Sequence, residues 1–342
     1  MRFGPSEAAL ALRDAVAGTL AAEVSPATIR AGWPGGDQRV VAEAWRKLAA
    51  TGVTGALVPA AAGGLGLDEA CLVPALEEIG RSGLPGPVAE TIAVAAPALA
   101  AGSGSGPLDR ILSGEATVAV QLAGGALVPH AQTADFVVLR QADALWLHDR
   151  QALALRPCST VDGSRGVARL PPPPEVAAGR PPAAPTGTLL TDDQAAVQLA
   201  WLRGVTATAA LLNGLSLRML DMTVGYVRQR EQFGVPVGSF QAIKHALANA
   251  LVAVEFARPA AHAAAWALAA AQPDADARAS MAKVLAADAA GLVARTAIQC
   301  HGAIGYTTEY DLHLWAKRAW ALIADWGTTP WHRAQLAHHL GV

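Results

Sequence analysis

The sequence predicts a mainly α-helical protein with a small β domain in its middle. Three observations carry this. Apolar residues recur at three- and four-residue intervals through most of residues 6–112, and again from about residue 192 to the end, the period of helices with one buried face. Between them, from about 115 to 190, short alternating or apolar runs separated by Gly, Asp and Pro replace that period, as in strands joined by tight turns. The chain has 342 residues, 52% hydrophobic and 16% charged, enough to bury large surfaces, some of them between subunits.

The expected organisation is an N-terminal helical domain over 1–114, a reduced β domain over 115–190 and a C-terminal helical bundle over 191–342. In the first, helices are predicted at Ala8–Val24, Val40–Ala50 and Asp68–Arg81, with Asp68 as an N-cap. Ala49–Pro59 reads as a short extended link, and Gly63-Gly-Leu-Gly-Leu67 as a turn. That turn lacks the Gly-x-Gly-x-x-Gly pattern after a buried strand, so a dinucleotide cradle is not expected. Gly102-Ser-Gly-Ser-Gly-Pro107 reads as a flexible loop.

In the middle, strands are predicted at Thr117–Leu122, Asp135–Arg140, Ala144–His148 and Ala152–Leu155. Pro171-Pro-Pro-Pro174 and the Ala/Pro-rich link to Thr186 read as stiff extended chain.

The last third is helical again, with helices expected from about Gln194 to Arg230, Phe240 to Ala271, Arg278 to Cys300, a Thr307 or Thr308 cap to Trp320, and from Pro330 onward. Ser239 is placed to cap the second of these. Helices of this kind form an antiparallel bundle.

Composition excludes several roles. The net charge is −2 and the arginines are scattered, so a nucleic-acid surface is not expected. The longest apolar runs, near Ala93–Ala101 and Ala260–Ala271, are too short and Ala-rich to span a membrane. Cys71, Cys158 and Cys300 are odd in number and far apart, as in a reduced cytoplasmic protein. The His338-His339 pair lacks a third metal ligand. His313 and His332 are expected with that pair on a polar face. Trp315, Trp320, Trp326 and Trp331 recur at near-helical spacing, as on a packing surface.

The densest polar stretch is Arg228-Gln-Arg-Glu-Gln-Phe-Gly-Val-Pro-Val-Gly-Ser-Phe-Gln241. By spacing alone it is a charged helix end complementing the dipole, with Arg230 free to pair with Glu231. The order Arg-x-x-Phe-Gly followed by Phe-Gln, joined by Gln299-Cys-His-Gly-Ala-Ile-Gly-Tyr306 and by Gly63–Leu67 after Val58-Pro59, resembles the acyl-CoA dehydrogenase family. The three segments stand in the family's order and are spread over most of the chain.

That resemblance implies a β domain between two helical ones, the last a four-helix bundle. It also implies FAD as cofactor, its adenosine-diphosphate end held by a neighbouring subunit's C-terminal domain. Carried over by position, Arg230 binds the pyrophosphate, Gln232 and Phe233 lie along the adenosine and Gln241 lines the adenine side. Gln299 and the backbone of Gly302 and Ala303 close over the diphosphate. A pyrophosphate needs a fixed guanidinium and amide donors, which these residues supply. Ala303 stands where the family usually has a second glycine. His301 is expected to pack or hydrogen-bond rather than act as a base.

Two family features are missing. The Thr-Glu-Pro loop that packs on the flavin ring has no counterpart; Gln121–Gly125 and Asp162–Arg165 lack its acidic-proline core. The catalytic glutamate's segment reads Asp325-Trp326-Gly327-Thr328, with a tryptophan at the base position, and the alternative place, near Gly204 beside Arg203, holds no carboxylate. Indole cannot accept a proton, and Asp325 is one position away on a shorter arm. No catalytic residue is therefore assigned to the chain.

The chain thus resembles the base-less subunit of actinobacterial α2β2 dehydrogenases of steroid side-chain acyl-CoA thioesters. This implies a catalytic partner subunit, an acyl-CoA substrate and electron-transferring flavoprotein as acceptor. A self-sufficient enzyme using Asp325 and a non-catalytic scaffold are the alternatives.

Overall fold

The computed structural model describes residues 4–102, 105–171 and 186–341. Most of the proline-rich link and part of the Gly102–Pro107 loop lie outside the described residues. The chain divides into two compact units, one of Met1–Ile29, Glu69–Leu84 and Val205–Val342, the other of Arg30–Asp68 and Pro85–Gly204.

In the first unit, α1 (Glu7–Glu23) starts where the Ser6 hydroxyl accepts the Ala9 N–H, and it buries Ala9, Leu12, Val16 and Leu20, the three- and four-residue spacing of one helix face. It packs on α4 (Glu69–Ser82), which begins directly after Asp68. The C-terminal helices are α7 (Gln194–Gln229, whose first turns fall in the other unit), α8 (Gln241–Ala269), α9 (Ala275–His301), α10 (Leu312–Ala324) and α11 (Thr329–Leu340). Helix α9 is central and packs on α8, α10 and α11. Its buried face is largely alanine, which lets neighbouring helices approach closely.

Helices α4 and α7 meet backbone to backbone. A Cβ on Gly214 would overlap the Glu77 carbonyl oxygen, and one on Gly80 the Leu211 carbonyl oxygen. Around this crossing Trp315 Nε1 donates to Arg81 O at 3.0 Å and an Arg318 guanidinium nitrogen to Leu84 O at 3.1 Å. The buried Glu77 carboxylate receives Arg258 of α8 at 3.0 Å.

In the second unit, α3 (Gln38–Ala49) starts on Asp37, whose carboxylate accepts the Arg39 N–H. A π-helical segment Ala89–Ala95 runs into α5 (Ala96–Ala101), and α6 spans Ser105–Leu112, so the tail of the expected glycine loop is helical. One sheet has the order β1 (Val118–Gln121), β3 (Phe136–Gln141), β4 (Ala144–Asp149), β7 (Thr188–Thr191), with β1 parallel to β3 and the other pairs antiparallel. A smaller one joins β2 (Leu127–Val128), β6 (Ala168–Arg169) and β5 (Arg156–Pro157). Ala119, Val128, Val137, Leu139 and Ala168 form the core of this β part.

Several local expectations are corrected. Ala49–Pro59 is not extended: Gly52 at φ +86° starts a 3-10 turn at Val53–Gly55. Backbone bonds from Leu65, Gly66 and Leu67 back to Gly55, Val58 and Ala56 then fold the glycine turn onto it. Ala152–Leu155 is no strand, because Asp149 caps a 3-10 turn at Arg150–Ala152. Ser239 does not cap α8: the Phe240 N–H closes a turn to Val237 O, and helix begins at Gln241. Thr307 bonds back to Ile304 O, so α10 begins later, at Leu312. His332 lies on no polar face; it is fully buried. Helix α7, not the two shorter runs, is long and apolar enough by length and composition to cross a membrane, and 61% of its most apolar window is buried within the fold.

The α4–α7 contact has no room for a methyl group. Gly214→Ala should cost about 1–3 kcal/mol, read as a lower urea midpoint with helical content retained.

Candidate functional site

At the end of α7 the helix stops abruptly. Arg230 N–H still bonds Tyr226 O at 2.9 Å, and Val237 N–H then returns to Arg230 O at 2.8 Å. Between them a hairpin pairs β8 (Glu231–Gln232) with β9 (Val235–Pro236). Its two central residues, Phe233 at φ +55° and Gly234 at φ +77°, both take the left-handed conformation that two-residue hairpins favour. Glycine adopts it freely. For phenylalanine it costs on the order of 1–2 kcal/mol. Phe233 is also 92% exposed, touching Phe240 edge-on at 6.2 Å.

Opposite the hairpin, α9 ends at His301, and Gly302 (φ +64°, ψ −140°) turns the chain in a conformation almost confined to glycine. The two ends enclose a groove of about 550 Å³ lined by Arg230, Gln232, Phe233, Gln299, Gly302 and Ala303. Six of the seven residues singled out from the sequence thus meet in one place. Gln241 is not among the lining residues; it is the exposed first residue of α8, next to Phe240, which does line the groove. The Arg230 side chain has no hydrogen-bond or ion-pair partner among the described residues, Glu231 included.

His301 was expected to pack or hydrogen-bond rather than act as a base. The structure buries it to 3% exposure on the groove wall, with Tyr226 stacked on it at 4.3 Å and Tyr310 tilted at 4.7 Å. The Tyr226 hydroxyl donates to His301 O at 3.3 Å, tying the end of α7 to the end of α9. Burial pulls the imidazole below its ordinary pKa and pushes the neighbouring Cys300 thiol up.

The segment at the expected base position is a locked turn. Trp326 stands at φ +53° and 9% exposure. The buried His332 donates from Nε2 to Trp326 O at 2.8 Å and meets Ser280 Oγ through Nδ1 at 3.0 Å. Lys283, also fully buried, donates to Ile323 O at 2.9 Å and Gly327 O at 3.2 Å. Burial pushes Lys283 down to about 8, opposed by the charge of Asp325. Asp325 thus lies near enough for its charge to act on this internal lysine. No glutamate or other carboxylate occupies position 326, and Gly204, the alternative place, is a buried helix residue.

The two loops weighed for the flavin ring are closed on themselves. Gln121 bonds Leu127 O and Ala123 N–H with its own amide, and Asp162 caps a buried turn packed on Trp33. Among the described residues no cluster of His, Cys, Asp or Glu could hold a metal ion.

A mainly helical chain with a small β part and a guanidinium-and-amide groove at a helix junction is of the kind that the resemblance to acyl-CoA dehydrogenases implies. Comparison with known proteins agrees. The C-terminal domain of acyl-CoA dehydrogenases matches residues 193–341 and the N-terminal domain residues 6–105. Acyl-CoA dehydrogenase IpdE2 of Mycolicibacterium smegmatis is 31% identical, over 90% of this chain and 91% of the relative. Acyl-CoA dehydrogenase FadE34 of Mycobacterium tuberculosis is 34% identical, over 81% of this chain and 40% of its own length. In fold, the chain is similar to the Tcur3481-Tcur3483 steroid ACAD G363A variant (TM-score 0.83, 24% identity, 97% of each chain). It is also similar to the ChsE4-ChsE5 complex of Mycobacterium tuberculosis (TM-score 0.79, 23% identity, 100% of this chain and 99% of that one). The chain belongs to the acyl-CoA dehydrogenase family, an oxidoreductase family whose cofactor is FAD.

Two outcomes follow. Phe233→Gly relieves the strained hairpin tip and should raise stability by about 1 kcal/mol in urea titration; weaker folding instead would show that the tip is not strained. Burial, with the charge of Lys283, lowers the pKa of His332 from an ordinary 6.5 to about 4, against the Trp326 carbonyl, which raises it. Its neutral form stabilises the fold fully above pH 6.5 and loses that contribution as pH falls through 4. The loss should approach about 3 kcal/mol, and His332→Gln should flatten the dependence of the urea midpoint on acid pH.

Proposed function

We propose that this chain is one subunit of a hetero-oligomeric FAD-dependent acyl-CoA dehydrogenase that introduces an α,β double bond into a bulky, steroid-derived acyl-CoA. It supplies the adenosine end of the cofactor site, while a partner subunit supplies the base. The observation that carries this reading is a pairing within one chain: a groove that gathers six of the seven cofactor-type residues around an unpaired guanidinium, and a base position filled by a locked tryptophan.

The residues fit the group. Arg230, unpaired and exposed, matches a pyrophosphate dianion. Gln232 and Gln299 offer amide donors on facing walls, and Phe233 offers an aromatic face. Gly302 leaves its backbone open: nothing lies within 4 Å of where a Cβ would stand. Ala303, in place of a second glycine, is exposed. Gln241 reaches the adenine side only from beyond Phe240. When bound, FAD supplies the hydride acceptor. The chain's own residues hold and orient its adenosine diphosphate, and none is in place to take the α proton.

A partner is supported by the surface. Leu251, Val252 and Phe256 on α8 are 45%, 52% and 72% exposed, an apolar helix side of the kind that obligate subunits cover. The solved steroid ACAD and the ChsE4-ChsE5 complex support a two-subunit assembly and a steroid-type substrate for this chain, with α2β2 as the expected stoichiometry. An electron-transferring flavoprotein fits as acceptor. Three cysteines, none of them in a disulfide among the described residues, fit a reducing, cytoplasmic setting.

The test is co-expression with a catalytic partner. The lone chain should be colourless, and the assembly should carry half as many flavins as subunits. In that assembly Arg230→Ala should release FAD, seen as lost flavin absorbance at unchanged native mass. Wild-type FAD occupancy in the variant would sink the site assignment.

A further inference from the structure

We propose that a second cavity, between α1, α4, α7 and α10, binds a small aliphatic α-amino acid, with Arg218 holding its carboxylate and Glu78 its ammonium group.

The cavity measures about 280 Å³ and lies wholly within the first compact unit. Leu20 at the end of α1, with Val24 and Pro26 just beyond it, forms an apolar side. Glu78 of α4, Arg218 of α7 and Trp315 of α10 complete the wall. A volume at the lower end of the range for small-molecule sites calls for a small occupant.

The Trp315 ring is 2% exposed, and its Nε1 bond to Arg81 O fixes its position. The Arg218 guanidinium lies over that ring, 5.3 Å from the centroid, held by the attraction of a cation for an indole face. Stacking leaves the N–H fork of a guanidinium available for a planar, bidentate acceptor. Arg218 is half-buried and has no hydrogen-bond or ion-pair partner among the described residues. Asp221, the carboxylate nearest to it in sequence, is taken by Arg81 at 2.5 Å. The fork is left without an anion of its own.

Glu78 is also half-buried and has no such partner among the described residues, Arg218 included. A cation and an anion therefore border one cavity without pairing with each other. A ligand bearing only an acid gains from Arg218 and is opposed by Glu78, and one bearing only an amine meets the reverse. A zwitterion satisfies both. Its aliphatic side chain then buries against Leu20, Val24 and Pro26.

The experiment is calorimetric titration of the intact chain with L-leucine, 4-methylpentanoate (the same body without the ammonium group) and 3-methylbutylamine (without the carboxylate). L-leucine should bind saturably, and each analogue about tenfold more weakly. Arg218→Gln should weaken L-leucine binding by about tenfold. Arg218→Lys keeps a charge over the indole but not the fork; it should lose part of the affinity and guards against a folding defect in the first variant. Glu78→Gln should erase the preference for L-leucine over 4-methylpentanoate. No saturable binding of L-leucine, equal binding of L-leucine and 4-methylpentanoate by the unaltered chain, or an affinity unchanged in Arg218→Gln would each overturn the proposal.

Discussion

The contact between α4 and α7 at Gly80 and Gly214 sets the position of everything that follows along α7. Two helices without side chains at their crossing meet backbone to backbone, and a helix held that closely has little freedom to slide or rotate. Tyr226, three turns further on, is thereby delivered beside His301, where its ring stacks and its hydroxyl reaches a carbonyl. The two helix ends that form the groove, far apart in sequence, are joined at Tyr226 and His301. Its chemistry comes from the long polar side chains of Arg230, Gln232 and Gln299, while Gly80 and Gly214, which line none of it, hold α7 against α4.

Much of this was legible beforehand, and for a physical reason. Long helices declare themselves by period, so α7, α8 and α9 were placed within a few residues, and Pro236 with the flanking glycines marked where one helix must stop. Resemblance over three short segments brought Arg230, Gln232, Phe233, Gln299, Gly302 and Ala303 together before any coordinates did. Caps were less legible. Ser239 and Thr307 have the right chemistry, yet Ser239 lies in a 3-10 turn and Thr307 closes one, and the backbone bonds of those turns decide where the next helix begins. Strand boundaries failed at Ala152–Leu155 because a single Asp side chain, at Asp149, outcompeted a weak apolar run.

The buried polar groups were the least legible. His332 and Lys283 sit in a polar-looking and an alanine-rich stretch respectively, and neither pattern announces burial. Apart from the Ser280 hydroxyl on His332, their partners are main-chain carbonyls, which every residue possesses, so no side-chain motif points to them. His301 was visible as part of a motif, but its tautomer and its unpaired nitrogen depend on the distance between Nδ1 and Ala297 O. Sequence supplies the ring; only the fold decides which of its nitrogens is left over.

Lys283 and His332 grip the turn after α10 by its carbonyl oxygens at Ile323, Trp326 and Gly327. None of these three bonds consults the side chain at position 326. The architecture of the turn and the reactivity it displays are therefore written in separate alphabets, one of backbone and one of side chain. A lineage can lose the proton-abstracting group here while the scaffold around it stays intact, and a duplicated subunit can keep its place in an assembly after its own chemistry has passed to its sister.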